Sequence, residues 1–308
     1  MRCDLHIHSW YSGKVDLPLL EHFGRECYSD PLEVHERALA RGMDLVTLTD
    51  HDTIEGALRL AHLPDTFVSE EVTVRLEGGR RLHVNVFDVD ERQHAEIQRR
   101  SFDPEALFAF LAEEDLPACV NHPFSALTGE RAVADLRLPL RRLPLVEALN
   151  GAMPGRHNQK AASVGREAGV ALVGGSDAHS LVHVARAYTR VPGARSKAQF
   201  LDGLRCGLTL PAGRSGGYAR LTAEITRIVA AGYADTVRAI LSGAPLAPRV
   251  AVLTALLPLL PLIPLITLAV HAHELLFAAR QARALEDASA APPSSGHAGL
   301  GAAAGEAA

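Results

Sequence analysis

At 308 residues, 47% of them hydrophobic, the chain can bury a substantial core as one large barrel or two modest domains, and this composition excludes a disordered polymer. A formal net charge of −5 excludes binding of long nucleic acid through a global basic field and leaves room for a small or short anionic substrate. Cys3, Cys27, Cys119 and Cys206 are scattered without Cys-x-x-Cys spacing, which argues against a zinc ribbon and for reduced thiols.

The first ten residues hold Asp4, His6 and His8 and no apolar leader, so a cytoplasmic catalytic domain is expected. Residues 2 to 8 read as a strand whose period of two points His6 and His8 to one face and Leu5 and Ile7 into packing. Two imidazoles on a rigid strand can converge on a cation, although His-x-His alone is a weak signal. Asp30-Pro31 opens a helix, with Asp30 at the N-cap and Pro31 at N1, that runs to about Arg41 and closes at Gly42. Leu45 to Leu48 is a short apolar strand ending in Thr49-Asp50-His51-Asp52-Thr53, and a helix is expected near Ile54 to Ala61.

Phe67 to Asp88 reads as two strands joined through Glu77-Gly78-Gly79-Arg80. Such a hairpin brings Glu70 or Glu71 together with His83. A helix over Asp103 to Glu114 precedes a strand, Pro117 to Val120, that delivers Asn121-His122-Pro123. Leu145 to Ala148 and Val170 to Val173 are further strands, the second ending in Gly174-Gly175-Ser176-Asp177-Ala178-His179, with a helix from about Asn158 to Ala168 between them. A helix near Ser196 to Arg205 completes the unit around residue 212. Repeated strand, polar tip and helix, without a Gly-x-Gly-x-x-Gly or a phosphate-binding glycine loop, fits a (β/α) barrel better than an open sheet.

The tips thus present His6, His8, His51, Glu71, His83, His122, Asp177 and His179. In order, His6-x-His8, Thr49-Asp50-His51-Asp52-Thr53, Glu71-Val72-Thr73 with His83-Val84, Asn121-His122-Pro123 and Gly175-Ser176-Asp177-Ala178-His179 resemble the successive motifs of the polymerase and histidinol phosphatase (PHP) superfamily. The resemblance covers residues 1 to 212. It implies an α/β fold, a distorted (β/α)7 TIM-like barrel, with two or three divalent cations of zinc, manganese or iron. By motif, it implies that His6, His8 and Asp177 hold the first cation, that Glu71 bridges it to a third, that His51 and His179 hold the second, and that His83 and His122 complete the third. Glu70 neighbours Glu71, but adjacent strand residues face opposite sides, so only one can bridge, and Glu71 matches the motif.

One motif departs from the pattern. The family commonly carries Ser-Asp-Gly shortly after His-x-His, its Asp serving the second metal, whereas here the string is Ser12-Gly13-Lys14-Val15-Asp16. Three readings stay open: Asp16 reaches back from a longer loop, His22 substitutes, or the second site is weak. Asp4, Asp50 and Asp52 are placed to orient the imidazoles. Arg156, His157, Lys160 and Arg186 lie near expected tips and are candidates to bind a substrate phosphate.

The implied chemistry is hydrolysis of a phosphomonoester, or of a short or cyclic phosphodiester, by a metal-bridging hydroxide, with His6, His8, His51, Glu71, Asp177 and His179 as the catalytic set. The substrate expected is a small phosphorylated metabolite or a short nucleotide. The alternative is a membrane-tethered module that binds metal or ligand with weak or no catalysis. An amidohydrolase ranks last, because no lysine follows an expected strand.

After residue 212 a helical extension is expected to about residue 285. Tyr218 to Leu241 is amphipathic, and Val250 to Val270 has no charged residue across 21 positions. A helix of that length rises about 31 Å, enough for a bilayer core, despite Pro258, Pro261 and Pro264. Membrane association through 250–270 is expected in preference to a buried or dimer-forming segment. Glu286 to Ala308, rich in Ala, Gly, Pro and Ser, is expected to be disordered.

Overall fold

A computed structural model of the chain describes residues 1–13, 24–127, 131–243, 254 and 257–290. Its strands are β1 (Arg2–Asp4), β2 (Leu45–Val46), β3 (Ser69–Arg75), β4 (Arg81–Phe87), β5 (Ala118–Val120), β6 (Leu145–Asn150), β7 (Ala171–Gly175), β8 (Ala187–Arg190) and β9 (Leu210–Gly213). The helices are α1 (Pro31–Ala40), α2 (Glu55–Leu58), α3 (Glu91–Arg100), α4 (Pro104–Glu113), α5 (Arg137–Arg142), α6 (Gly155–Glu167), α7 (Lys197–Arg205), α8 (Tyr218–Leu241) and α9 (Ile263–Ala290).

The fold is mixed α/β, and its strands form two sheets in place of one continuous barrel ladder. One sheet has the order β2-β1-β8-β9 and the other β3-β4-β5-β6-β7. Only β1–β2, β5–β6 and β6–β7 pair in parallel; the remaining neighbours are antiparallel. Single parallel bridges link the two sheets, Ile7 to Ala178 where the chain continues past β1 and β7, and Val46 to Thr66 and His51 to Glu71 between the segments of β2 and β3. β1 is therefore shorter than the expected strand over residues 2 to 8, yet its extension still carries His6 and His8 past Ala178.

Local chemistry explains most of the elements. The Asp30 carboxylate accepts from the Leu32 amide at 2.8 Å, Pro31 fills N1, and Gly42 takes φ +84° just past the end of α1. The helix expected over 54–61 stops at Leu58, and beyond it the Thr66 hydroxyl donates to the Leu60 and Leu63 carbonyls. β8 and β9 carry no periodic pattern because they are four residues each, and β9 contains Pro211 and Gly213; pairing of β8 with β1, and of β9 with β8, makes them strands.

Alternation on the β3–β4 hairpin divides two worlds. Val72, Val74, Leu82, Val84 and Val86 turn outward into a core with Phe108 and Leu111 of α4, while Glu71, His83 and Asn85 turn inward. Each fully buried side chain of this size contributes about 2 kcal/mol through removal from water. Cys3, Leu5, Phe67, Phe87 and Phe200 fill a second core beneath the inward-facing polar residues.

The proline-rich stretch is organised by position. Pro258 and Pro261 fall in a 3-10 segment, Leu257–Leu262, and Pro264 falls in the first turn of α9, where its missing amide costs no intrahelical bond. Residues 250–253, 255 and 256 of the expected membrane segment lie outside the described residues, as do 291–308 of the expected disordered tail, while 286–290 continue α9. Leu260–Gln281, 22 residues, is long and apolar enough to cross a membrane by length and composition. In this structure the helix is docked. Thr267 and Thr222 share a hydroxyl hydrogen bond of 2.7 Å, and the Tyr218 hydroxyl donates to the Pro264 carbonyl. Glu274, 3% exposed, accepts from the Ala126 amide at 2.9 Å and pairs with His157 Nε2 at 3.0 Å. The opposite side of this segment exposes Leu257, Leu262, Leu265, Ile266, Leu268 and Leu276.

Breaking one member of a buried polar pair costs about 3 kcal/mol because the other is left unpaired. Glu274→Ala is therefore expected to lower the midpoint of thermal unfolding by roughly 5 °C at this chain length. An unchanged midpoint would mean that α9 is not docked through Glu274 in solution.

Candidate metal centre

Glu71 stands at the middle of the strand tips with no exposed surface. Its Oε2 lies 3.2 Å from His6 Nε2, 3.4 Å from His8 Nε2 and 3.1 Å from His51 Nδ1. Its Oε1 lies 3.1 Å from His83 Nδ1 and 3.3 Å from His122 Nε2, and accepts from Asn121 Nδ2 at 2.7 Å. Glu70, one residue earlier on β3, faces the other way, where it accepts from Gln98 Nε2 and pairs with His94. The alternation of a strand thus decides which of two adjacent carboxylates enters the site.

Asp177 faces Glu71 across the histidines, 3.4 Å from His8 Nε2 and 3.6 Å from both His6 Nε2 and His179 Nδ1. Its backbone takes φ +50°, and His122 takes φ +24°, so two site residues sit where non-glycine backbone is strained. Gly175 lets β7 pass this close to the first strand: a Cβ there would overlap the His6 Cβ.

Among the described residues, four groups of donor atoms lie within 4.8 Å of one another: His6, His8 and Asp177; His6, Glu71 and His122; His51, Glu71 and His83; and His8, His51 and His179. The donors are imidazole nitrogen and carboxylate oxygen, a set that suits zinc, manganese or iron. His8 Nε2, His83 Nδ1 and Glu26 Oε2 are buried there with no hydrogen-bond partner, which is the state of a group whose partner is a cation. The residues present fit divalent cations.

Charge in the cluster is strongly coupled. Burial would lower His51, but Glu71 and then Glu26 outweigh it and hold the imidazolium up to about 9. Burial, reinforced by the charge of His179, pushes His8 down to about 3. Burial would raise Glu26, yet the adjacent His51 imidazolium pulls it to about 2. Glu71 and Asp177 are likewise held well below the carboxylate range against burial, chiefly by His6.

Residues behind the donors fix which nitrogen faces inward. His6 Nδ1 donates to Glu147 Oε1 at 2.9 Å, which leaves Nε2 toward Glu71 and Asp177. His8 Nδ1 donates to the Ser12 hydroxyl at 2.9 Å, and Ser12 donates onward to Asp50. Asn150 Nδ2 donates to both Glu147 and Asp177. Asp50 therefore acts on an imidazole through Ser12, whereas Asp4 accepts from the His6, Ser176 and Ala185 amides and Asp52 from the Thr73 amide. α8 also reaches the site: Glu224 accepts from the His179 amide and the Ser180 hydroxyl, and Arg220 donates to the Ser176 carbonyl.

The structure brings His6, His8, His51, Glu71, His83, His122, Asp177 and His179 together, and Asp16 and His22 lie outside the described residues. Arg156 and Arg186 are exposed, Lys160 is half-buried, and His157 is buried against Glu274. Sequence reasoning missed Glu26, Glu147 and Asn150. Glu147 had left a signal, a lone charge inside the apolar run Leu145 to Ala148; Glu26 belongs to no motif.

Comparison with known proteins follows this geometry. Residues 155–209, from α6 through β7 and β8 to α7, match the family described as PHP-associated, a span that includes Asp177 and His179. An uncharacterized protein of Methanocaldococcus jannaschii is 26% identical over 132 residues, 41% of this chain and 70% of that protein. A two-domain protein from Bacteroides vulgatus, described as containing a predicted PHP-like metal-dependent phosphoesterase, superposes with a TM-score of 0.51 at 16% identity. The match covers 70% of this chain and 65% of that one, so the chain spans just under two thirds of that protein's length. PsfC from Pseudomonas syringae superposes with a TM-score of 0.50 at 16% identity, over 75% of this chain and 96% of that one. At these identities the two likenesses concern the fold.

Two outcomes are expected. Glu147→Ala, which frees the His6 ring, should weaken divalent-cation affinity about 10–100-fold by titration calorimetry; unchanged affinity would remove Glu147 from its orienting role. His51 titrates at about 9 in the folded chain against an ordinary 6.5, so without cation its stabilising charge is fully present below pH 6.5 and is lost as pH rises through about 9. His8, at about 3, is neutral across that window. Thermal unfolding of chelated protein should therefore fall from pH 6.5 to 9, and added zinc or manganese should stabilise increasingly over the same range, because cation and proton compete. A cation-induced stabilisation that shrinks with pH would contradict this.

Proposed function

We propose that this chain, a member of the polymerase and histidinol phosphatase superfamily by its PHP-associated segment and its fold, is a metal-dependent hydrolase of phosphoester bonds. The observation that carries the proposal is the convergence of five histidines on the buried Glu71, with unpartnered donor atoms left around it. His6, His8, Asp177 and Glu71 would hold one cation, His51 and His179 a second, and His83 and His122 with Glu71 a third. Zinc, manganese or iron ions in these places would supply an acidified water and positive charge for the phosphoryl oxygens.

The chain's own residues do the remaining work. Glu147 and Ser12 hold the His6 and His8 rings with Nε2 inward, so the donors are set before any substrate arrives. Asn121 and Asn150 fix the rotamers of Glu71 and Asp177. Arg156, Lys160 and Arg186 are the cations proposed to meet the substrate phosphate, while His157 is engaged with Glu274. The substrate class proposed is a small phosphorylated metabolite or a short nucleotide. The exposed leucines and Ile266 beside the docked face of α9 support association of the protein with a lipid surface. The same face supports the second reading, a membrane-tethered module that binds metal with weak or no turnover.

A panel of phosphomonoesters and of cyclic and oligonucleotide diesters, assayed with defined metals, separates the two. Hydrolysis is expected to require manganese or zinc and to disappear in His8→Ala. Full metal occupancy with every compound inert would favour the binding module.

A further inference from the structure

Glu26 lies on no strand tip and in no recognised motif, yet its carboxylate enters the centre. The short stretch that bears it is fastened to the residues following His8. The Glu26 amide donates to the Gly13 carbonyl, the Cys27 thiol donates to the His8 carbonyl at 3.3 Å, and the Trp10 amide donates to the Ser29 carbonyl. These bonds hold Glu26 where the chain returns from the loop after His-x-His. Its Oε2 lies 3.2 Å from His51 Nε2, is buried, and among the described residues makes no well-aligned hydrogen bond.

The two nitrogens of His51 face different carboxylates. Nδ1 is 3.1 Å from Glu71 Oε2, while Nε2 is 3.2 Å from Glu26 Oε2, and a ring nitrogen of His51 belongs with those of His8 and His179 to one donor group. A neutral imidazole carries one proton. With that proton on Nδ1 toward Glu71, the Nε2 lone pair points to the place that Glu26 also faces. Two imidazoles alone make a weak cation site, and a carboxylate is a common further donor that also offsets the charge of the cation.

We propose that Glu26 is the carboxylate ligand of the second cation, beside His51 and His179, in the role expected of Asp16. The proposal rests on the reading of the strand tips as a metal centre and deepens it by naming the missing donor. Glu26 then takes the place of an aspartate that would follow His-x-His more closely in sequence.

The test is metal content of the full chain, reconstituted with manganese or zinc, freed of excess metal and measured by elemental analysis. Glu26→Gln is expected to lose about one equivalent per chain relative to the unmodified protein and to retain the others. Glu26→Asp keeps the carboxylate on a shorter arm, and should retain that equivalent with weakened affinity. Asp16→Asn should match the unmodified protein. Full stoichiometry and unchanged affinity in Glu26→Gln, or loss of the equivalent in Asp16→Asn, would overturn the assignment while leaving the metal centre standing. An unmodified chain that takes up no metal removes the centre and the assignment together. Circular dichroism of each variant separates lost donor from lost fold, and the Glu26→Asp result decides the matter if Glu26→Gln does not fold.

Discussion

A carboxylate with no exposed surface, ringed by imidazoles, is the constraint on which this molecule is built. Glu71 without positive charge around it would be costly to bury, and five histidines without an anion among them would repel one another once charged. Each half therefore requires the other, and the strands that carry them must meet at one point. The single bridge between His51 and Glu71 and the one between Ile7 and Ala178 are the backbone side of that requirement. They join two otherwise separate sheets where the donors converge.

Support for the centre comes from distant parts of the chain. Glu147 on β6 fixes His6, Asp50 acts on His8 through Ser12, and Glu224 on α8 holds the loop of His179. Glu274 on α9 binds the loop that follows His122. The amphipathic helices after residue 212 are thus part of what keeps the tips in place. An apolar helix that docks through a buried carboxylate also has two distinct sides, one committed to the loop and one left to its surroundings.

What could be read from the sequence was whatever depends on short-range pattern. Alternation placed His6 with His8 and allowed only one of Glu70 and Glu71 into the site, with the Glu-Val-Thr motif choosing Glu71; an Asp-Pro cap placed α1 and α4; polar clusters after apolar runs placed His51, His122 and Asp177. What could not be read depends on pairing between distant segments. β8 and β9 have no periodic signature and exist through their neighbours, and the antiparallel pairing of β3, β4 and β5 departs from the repeated parallel strand and helix read from the sequence. Glu26 and Glu147 were hidden for a similar reason. A carboxylate that reaches an imidazole about 25 or about 140 residues away leaves no spacing to recognise.

Electroneutrality follows from the same carboxylates. Glu26, Glu71, Glu147 and Asp177 each contact a histidine of the cluster, and together they bring four negative charges into a space that excludes most water. Two divalent cations would cancel them and leave a site indifferent to the sign of what enters. A third would leave an excess of positive charge that only an anion from outside could neutralise. The number of ions held, more than their identity, would then decide whether the centre demands a charged substrate or merely tolerates one.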